Sequence, residues 1–465
     1  MPMLRLAPVL GCAIALVCAA TAVAAPPWSA PATITTGNPQ LAQPTIDFAG
    51  NGRAVLSARL TTQANGVPSN GFSRLFGQQA DGSFAGRARL VLAAPPVAYG
   101  SSRLALLRLP VAKGNVTIAD LEDPASSLGT SFGRCCGPLE VDPGGYRRLS
   151  ARADRERGVL AANDRGDVAA VWVEHLSGRD HLLVAQRRPG QAFGRPAVIA
   201  GSGLITAPSV AWSPRGDLLV AYQRATTGPG PGTDRRVEAR VRRSGHSWGG
   251  PQRLGLSSGF SVISTAAAAD GRMVVAWGTQ DLGEEANTRW NVRAALRPAG
   301  SRGFGYAELL ESSEGDDERP AGRVVAAMAP DGTATVAWSS IAGARSPHTF
   351  PARVATAGPT QGFGPMQTLA PNAAVGDVAM DARGATVVVW ATLAIPGVNQ
   401  VTQQVFASLR GAGAAAFAAP EAVGPAERAE LPRAAFEPLS GRPAVVWISR
   451  LPGVTERLRY SARAG

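Results

Sequence analysis

Residues 215–224 read RGDLLVAYQR, residues 270–279 read DGRMVVAWGT, and residues 331–340 read DGTATVAWSS. Each stretch starts with a polar turn that contains Gly, continues through a short apolar run, and reaches an aromatic residue six positions after the Gly. An apolar run this short, flanked by Gly and Asp, is typical of a β-strand with both faces buried. The chain therefore repeats one structural unit.

The spacing from turn glycine to aromatic residue recurs along the chain. The pairs are Gly166–Trp172, Gly216–Tyr222, Gly271–Trp277, Gly332–Trp338, Gly384–Trp390 and Gly441–Trp447. A second short apolar segment precedes each turn, as in SVAWSP at residues 209–214 and DVAMDA at residues 377–382. Two apolar segments joined by a tight turn predict a β-hairpin.

Two further segments follow each predicted hairpin. The first is a strand such as RVEARVRR at residues 236–243, which comes after a loop of variable length. The second is a tail with an aromatic residue followed by a proline, such as FGRPAVI at residues 193–199 and WGGPQRL at residues 248–254. Four antiparallel strands in about 50–60 residues match one blade of a β-propeller.

The number of units sets the predicted fold. Six are clear, residues 43–90 form a seventh in which Ala58 replaces the aromatic, and residues 97–142 form a degenerate eighth with its outer strand expected from Phe132 onward. The final unit has no tail, whereas Trp28–Ile34 (WSAPATI) matches the tail pattern. We predict an all-β, eight-bladed β-propeller of four-stranded antiparallel blades, closed by the N-terminal strand. A seven-bladed ring is the alternative.

The N-terminus predicts export. A short segment with Arg5 precedes an apolar stretch, and Ala22-Val23-Ala24 forms a small-residue cleavage signal. This pattern is typical of a secretory signal peptide. We therefore expect a signal peptide at residues 1–24, a single propeller domain at residues 25–465, and a mature protein in the periplasm, at the cell surface or outside the cell.

The charged residues are mostly arginine. The formal net charge is +12, and loss of Arg5 with the leader lowers it to +11. Lys113 is the single lysine. A basic surface attracts anionic glycans, phospholipid or nucleic acid. However, no basic run carries interleaved aromatic residues, so we expect no nucleic-acid partner. No later apolar run is long enough for a transmembrane segment, and we expect a monomer.

The repeat resembles secreted bacterial β-propeller proteins of the sialidase-like, BNR-repeat kind, in which a turn Gly, an apolar strand and an aromatic residue recur in each blade. The resemblance covers nearly the whole mature chain and concerns the fold. Asp boxes of the form S-x-D-x-G-x-x-W are absent, and so is an F-R-I-P-like segment. The resemblance nevertheless implies an alternative activity, a sialidase-like glycoside hydrolase or lyase acting on extracellular glycans.

Four charged residues are the candidate site. Arg157, Arg323 and Arg433 each precede or open a predicted innermost strand, and Asp377 takes the equivalent place in the seventh unit. Innermost strands line the central channel of a propeller, so these side chains are candidates to face it. The long, variable loops between strands and between blades are expected to form the binding face, since binding residues concentrate on loops held by a rigid frame.

Cys135 and Cys136 are the cysteines that remain after leader removal, and they are adjacent. Export favours their oxidation, so we expect a vicinal disulfide, with free or intermolecular thiols as alternatives. The acidic stretch EGDDE at residues 314–318 and the stretch EHLSGRDH at residues 174–181 lack the ligand spacing of calcium and zinc sites. We expect no metal and no cofactor.

The recurring tryptophans have two interpretations. They form either a platform for carbohydrate or packing contacts between blades, and their fixed place near a strand end favours packing. From the sequence, we expect an exported β-propeller that acts as a binding or scaffold protein for a protein or glycan ligand.

Overall fold

The structure is a computed structural model of the chain. It describes residues 28–34, 40–48, 52–64, 67–90, 103–105, 118–121, 139–142, 145–148, 159–163, 167–176, 178–188, 191, 193–225, 235–257, 262–282, 288–315, 323–339, 350–392, 403–450 and 456–464. These residues form strands, turns and loops, and they contain no helix. Accordingly, no helix in this part of the chain has the length and apolarity needed to cross a membrane.

The strands follow the predicted units. The first sixteen are β1 Ala32–Thr33, β2 Gln40–Phe48, β3 Ala54–Ala64, β4 Val67–Gln78, β5 Phe84–Leu90, β6 Arg103–Ala105, β7 Ile118–Leu121, β8 Leu139–Asp142, β9 Gly145–Arg148, β10 Val159–Ala162, β11 Val168–Leu176, β12 Arg179–Arg187, β13 Ala197–Gly201, β14 Leu204–Trp212, β15 Leu218–Ala225 and β16 Arg235–Arg242. The others are β17 Gln252–Ser257, β18 Val262–Ala267, β19 Met273–Leu282, β20 Thr288–Arg297, β21 Glu308–Gly315, β22 Val324–Met328, β23 Ala334–Ser339, β24 Ala352–Ala357, β25 Gln367–Ala370, β26 Ala373–Met380, β27 Thr386–Thr392, β28 Val405–Arg410, β29 Glu421–Ala422, β30 Arg428–Phe436, β31 Pro443–Arg450 and β32 Arg457–Ala462.

The described strands form eight four-stranded antiparallel sheets. Sheets 1 to 7 each take four consecutive strands, starting with β2–β5 and ending with β26–β29, and sheet 8 has the order β30–β31–β32–β1. Because the strands alternate in direction, the turns between first and second strands and between third and fourth strands lie at one end of each sheet. We call this the turn end. The remaining connections lie at the other end, the loop end.

The first-to-second turns of sheets 4 to 7 share one geometry that explains the repeated glycine. In sheet 4, the N–H of Gly216 donates to the carbonyl of Ser213 at 2.9 Å, and the N–H of Ser213 donates to the carbonyl of Asp217 at 2.8 Å. Gly216 has a φ of 98°, and Gly271, Gly332 and Gly384 have φ values of 88–89°. This left-handed conformation is cheap for Gly and costly for other residues. A short hairpin loop that ends in such a residue is a common connection.

The aromatic residues that follow the turns are buried, and in sheets 4 to 8 they pack against the preceding sheet. Trp172, Trp277, Trp338, Trp390 and Trp447 are each at most 1% exposed. Trp277 packs in one cluster with residues of sheet 4 that include Leu219 and Val237. A Cβ added to Gly255 on the outer strand of sheet 4 would lie 3.1 Å from the Trp277 ring, so the glycine gives the indole room. The packing interpretation is confirmed, because none of these rings is available to a ligand.

The sheets contact each other through their first strands. β2 contacts β6, β6 contacts β10, and the series continues through β14, β18, β22 and β26 to β30. β30 in turn contacts β2. Each first strand therefore has a neighbour in the sheet on either side, while the fourth strands lie furthest from these contacts.

Sheet 2 differs from the sequence-based prediction. The tail pattern from Phe132 predicted its outer strand, but Leu139–Asp142 (β8) is the third strand and Gly145–Arg148 (β9) is the fourth. Asp142 pairs with Gly145, and the two residues between them are Pro143 and Gly144. Such a dipeptide is a strong turn signal that separates two strands, and it outweighs the weak resemblance of this segment to the other tails.

The N-terminal segment completes sheet 8, as its tail-like sequence predicted. Ala32 pairs with Tyr460 and Thr33 pairs with Arg459. Backbone hydrogen bonds extend the contact, since the N–H of Ser29 donates to Ala462 and the N–H of Ile34 donates to Leu458, both at 2.8 Å. The two ends of the chain thus share one sheet.

Deleting residues 25–35 should lower the melting temperature and promote association. The deletion removes the fourth strand of sheet 8 and leaves the N–H and C=O groups along β32 unpaired, which creates an exposed sheet edge. Differential scanning calorimetry and size-exclusion chromatography measure both effects. A truncated protein that stays monomeric with unchanged melting would contradict the role of this strand.

A second prediction distinguishes two of the buried tryptophans. The Trp338 Nε1 donates to the buried Glu311 carboxylate, whereas the Trp277 Nε1 has no hydrogen-bond partner among the residues that the structure describes. Replacement of either residue by Ala should cost about 3–5 kcal/mol through lost burial and a cavity. Replacement by Phe keeps much of the packing, and Trp338→Phe should cost about 1–3 kcal/mol more than Trp277→Phe because it removes a donor from a buried carboxylate. Urea unfolding measures the difference, and equal costs would argue against this hydrogen bond.

Candidate functional site

The first strands of four sheets have an irregular register at corresponding places. In β14 the pairing with β15 shifts between Thr206 and Ser209. In β26 the shift falls between Val375 and Asp377. The other two shifts occur in β2, between Ala42 and Thr45, and in β30, between Glu430 and Arg433. A β-bulge redirects the side chain beside it and is often found next to binding sites.

The residue after each bulge occupies a position that recurs in every clear unit. We call it the central position, and we define it as the first-strand residue that pairs with the fifth residue after the turn glycine. Seven residues occupy it in the described strands: Thr45, Val159, Ser209, Ser264, Val325, Asp377 and Arg433. Charge appears here in sheets 7 and 8, which are neighbours.

Polar side chains at the central position bind the next first strand. The hydroxyl of Ser264 accepts a hydrogen bond from the backbone N–H of Ala326 in sheet 6 at 3.0 Å. In the same way, Asp377 Oδ2 accepts from the N–H of Ala434 in sheet 8 at 3.3 Å. A hydroxyl is therefore sufficient for the contact between strands. The negative charge of Asp377 is additional to that structural role.

Asp377 is paired electrostatically with Arg323, which immediately precedes β22 at the loop end. Burial raises the pKa of Asp377 from 3.8 to about 6, although the positive charge of Arg323 and the hydrogen bonds from Ala434 and Val378 act in the opposite direction. Burial likewise lowers the pKa of Arg323, and Asp377 opposes that shift. Both side chains keep some solvent-accessible surface, but the surrounding strands replace much of the water that would stabilise their charges.

Arg433 joins the same cluster from sheet 8. Its Nη1 donates to the backbone carbonyl of Gly376, the residue before Asp377, at 2.7 Å. A Cβ on Gly376 would collide with the backbone and ring of Pro432, so glycine permits this close approach of β26 and β30. A guanidinium carries five N–H donors, and this bond uses one of those of Arg433.

The structure brings together three of the four residues selected from the sequence. Arg323 immediately precedes the first strand of sheet 6, and Asp377 and Arg433 lie on the first strands of sheets 7 and 8. Arg157 falls outside the described residues. The sequence-based prediction did not include Gly376 and Pro432, where β26 and β30 approach each other closely. The signal was present, because a Gly or Pro inside an apolar strand marks a bulge or a close backbone approach.

The remaining predictions about the site concern other parts of the chain. Cys135 and Cys136 lie outside the described residues, so their disulfide stays a prediction. Within the described part of the chain, no group of three His, Cys, Asp or Glu side chains is placed to hold a metal ion. The charged cluster instead offers two guanidinium groups and one carboxylate, an arrangement with a net positive charge when all three are ionised.

Comparisons with known proteins bear on the architecture alone. No protein-family model and no curated protein sequence matches the chain. Among solved structures, an α-L-arabinanase from Penicillium chrysogenum is similar, with a TM-score of 0.42, 9% identity, and coverage of 94% of this chain and 98% of that one.

Two further structures have comparable scores. The NanB sialidase from Streptococcus pneumoniae has a TM-score of 0.37 and 10% identity, covering 93% of this chain and 70% of its own. A polysaccharide lyase has a TM-score of 0.42 and 9% identity, covering 93% of this chain and 99% of its own. Similarities of this size carry no conclusion about what the chain binds or transforms.

The raised pKa of Asp377 predicts a specific pH dependence of stability. Between about pH 4 and pH 6 the folded protein binds more protons at this carboxyl than the unfolded chain does. Its contribution to stability is therefore present below about pH 4 and is lost as the pH rises through about 6. Asp377→Asn has no such titration, so the stability of the wild type relative to this variant should fall as the pH rises through that window.

The pair with Arg323 supplies the control. Arg323→Gln removes the charge that lowers the pKa of Asp377, so the titration midpoint should move above 6. Urea unfolding at several pH values and carboxyl-carbon NMR measure the two effects. A midpoint near the ordinary value of an aspartate in the wild type would overturn this account of the cluster.

Proposed function

We propose that the protein is an exported eight-bladed β-propeller that binds an extracellular ligand at its loop end. The eight four-stranded sheets, the series of contacts between first strands, and the shared sheet of the two chain ends support this architecture. In such a ring, the first strands surround the central axis. The N-terminal strand closes the ring, and the leader at residues 1–24 directs the chain out of the cytoplasm.

The observation that carries the binding function is the cluster of Arg323, Asp377 and Arg433. Arg323 stands at the start of its strand, where the long loops begin, and Asp377 and Arg433 follow further along the first strands of the next two sheets. A hydroxyl at the position of Asp377 would satisfy the strand contact, as Ser264 shows. Buried charge is costly unless it is used or compensated, so its placement here supports a role in ligand binding.

The charge of the cluster favours an anionic ligand. The cluster contains two guanidinium groups and one carboxylate, and guanidinium binds carboxylate, sulfate and phosphate oxygens through paired hydrogen bonds. The connections between strands that the sequence predicts to be long and variable would supply the remaining contacts. A ligand outside the cell with these properties is a glycan or a protein that presents an acidic group.

A sialidase-like glycoside hydrolase or lyase acting on extracellular glycans is the second candidate. The observation in its favour is the pKa of Asp377, which at about 6 suits a group that exchanges protons near neutral pH. Most glycoside hydrolases use two carboxylates that flank the scissile bond. Asp377 is the single carboxylate among the central positions of the described strands, which favours binding over hydrolysis.

Binding can be tested with the mature protein and a panel of sialylated, uronate-bearing and neutral oligosaccharides. Arg323→Gln and Arg433→Gln should each weaken binding of acidic oligosaccharides, because a hydrogen bond to a charged group contributes about 1.5–3 kcal/mol. Arg428→Gln is the matched control, since Arg428 is exposed at the loop end but outside the cluster. Isothermal titration calorimetry gives the affinities, and melting temperatures verify folding.

The same samples distinguish the two candidates. Binding without change of the oligosaccharide by mass spectrometry supports a binding protein, whereas cleavage that Asp377→Asn abolishes supports the enzyme. Equal affinity for acidic ligands in the wild type and both cluster variants would exclude the cluster as the site.

A further inference from the structure

The turn end carries a series of arginines beside the turn glycines. In five described turns an arginine precedes or follows the glycine: Arg53, Arg215, Arg272, Arg383 and Arg442. The positive φ of these turns explains the glycine, but it does not require an arginine beside it. Arg215, Arg383 and Arg442 are exposed.

These turns contact each other from one sheet to the next. A Cβ on Gly271 would lie 3.3 Å from the Asp217 carboxylate of the preceding turn, and one on Gly441 would lie 3.5 Å from Asp381. Gly332 lies against Arg272 in the same way. The contact between Gly52 and Glu437 joins the first sheet to the last. The arginines therefore lie on one continuous surface that runs from sheet 4 through sheet 8 to sheet 1.

Three aspartates of this surface each use one carboxylate oxygen to accept hydrogen bonds from the backbone. Asp381 Oδ1 accepts from the N–H groups of Arg383 and Ala385 at 2.9 and 2.8 Å. Asp331 Oδ1 accepts from the N–H of Thr333 at 2.8 Å. Asp217 Oδ1 accepts from the N–H of Ser244 at 2.8 Å. These carboxylates therefore face the backbone of the turns.

A second set of arginines lies beneath the turns. Arg297 and Arg410 are buried near the ends of the third strands, and Arg242 is half-buried there. Burial lowers the pKa of Arg297 and of Arg410, and the positive charge of Arg243 lowers that of Arg297 further, whereas Asp217 and Asp331 act in the opposite direction. These arginines therefore offset part of the negative charge of the turn carboxylates. At the surface, Arg272 and Arg442 form ion pairs with Asp270 and Glu437 at 3.2 and 3.5 Å, and the exposed Arg215 and Arg383 add positive charge.

Exposed apolar side chains accompany the arginines at the turn end. Leu439 lies in the turn of sheet 8 and is 68% exposed, and a Cβ on Gly52 would lie 2.9 Å from its Cδ1. Tyr306 is 99% exposed just before β21, and Met366 is exposed just before β25. Both follow a third-to-fourth turn, so they lie at the same end as the arginines.

We propose that the turn end is a docking surface for a bilayer of anionic phospholipid. Arginines attract anionic headgroups, and apolar or tyrosine side chains between them insert at the boundary between headgroups and acyl chains. A soluble polyanion would use the arginines but has no use for Leu439, Tyr306 and Met366, so the combination favours a lipid surface. The short turns project little, which suits contact with a flat partner. The loop end would then face away from the membrane.

The test uses the mature protein and vesicles of phosphatidylcholine with or without an equal part of phosphatidylglycerol. The wild type should co-sediment with the anionic vesicles only, and added salt should release it. Arg215→Glu with Arg383→Glu should weaken this binding at least about 25-fold, since each basic residue near such a surface is worth roughly fivefold in affinity. Leu439→Ser should weaken it several-fold without changing its salt dependence.

A matched control separates surface position from net charge. Arg179→Glu with Arg428→Glu makes the same change of charge at exposed positions of the loop end and should leave vesicle binding unchanged. Equal loss in both double variants, equal binding of neutral vesicles, or binding of a sulfated polysaccharide without binding of vesicles would overturn the proposal. Unchanged melting temperatures in all variants confirm that folding is not the cause.

Discussion

In sheets 3 to 8 the second strand is buried on both faces, and a single sheet cannot cover both faces of its own strand. Val387, Val388 and Val389 are consecutive residues of β27 with no exposed surface. Their side chains point alternately to opposite faces, so each face requires another sheet. Val388 packs in a cluster with Val354 of sheet 6, and Val389 packs with Val445 of sheet 8. No unit is therefore stable without its neighbours, which is why the chain repeats the unit and why its two ends share one sheet.

Buried carboxylates also contribute to the packing between sheets through hydrogen bonds. Glu427 accepts hydrogen bonds from the indole of Trp447 at 3.2 Å and from Arg459 at 3.1 and 3.0 Å. Glu311 does the same for Trp338 and Arg353. A buried carboxylate without partners would be costly, but here each is neutralised and also fixes the orientation of the aromatic ring. The indole can then be large enough to fill the space between sheets while its one polar atom is satisfied.

The sequence predicted those parts of the fold that depend on local chemistry. A turn that needs a positive φ requires Gly, and a strand with two buried faces requires an uninterrupted apolar run, so both leave a periodic signal. Sheet 2 left a weaker signal, and the strand expected from Phe132 was displaced to Gly145–Arg148 because a Pro-Gly turn has more influence on pairing than a partial tail motif. The candidate site was predictable in part. Arg323, Asp377 and Arg433 stood out as charges in apolar strands, but their proximity depends on Gly376 and Pro432 and on contacts between sheets that no local pattern encodes.

The central position has a consequence for how this architecture can diversify. A serine hydroxyl in sheet 5 and an aspartate in sheet 7 make the same bond to the neighbouring strand, while valine occupies the position in sheets 3 and 6. The first strands therefore accept hydroxyl, carboxylate, guanidinium or aliphatic side chains at equivalent positions of the described sheets. The side chain at this position varies together with the local register, because the charged residues of sheets 7 and 8 follow a β-bulge whereas Ser264 and Val325 pair without one. Duplicated copies of such a chain could thus acquire a new specificity through a substitution and a small local change in one first strand, with the repeated framework retained.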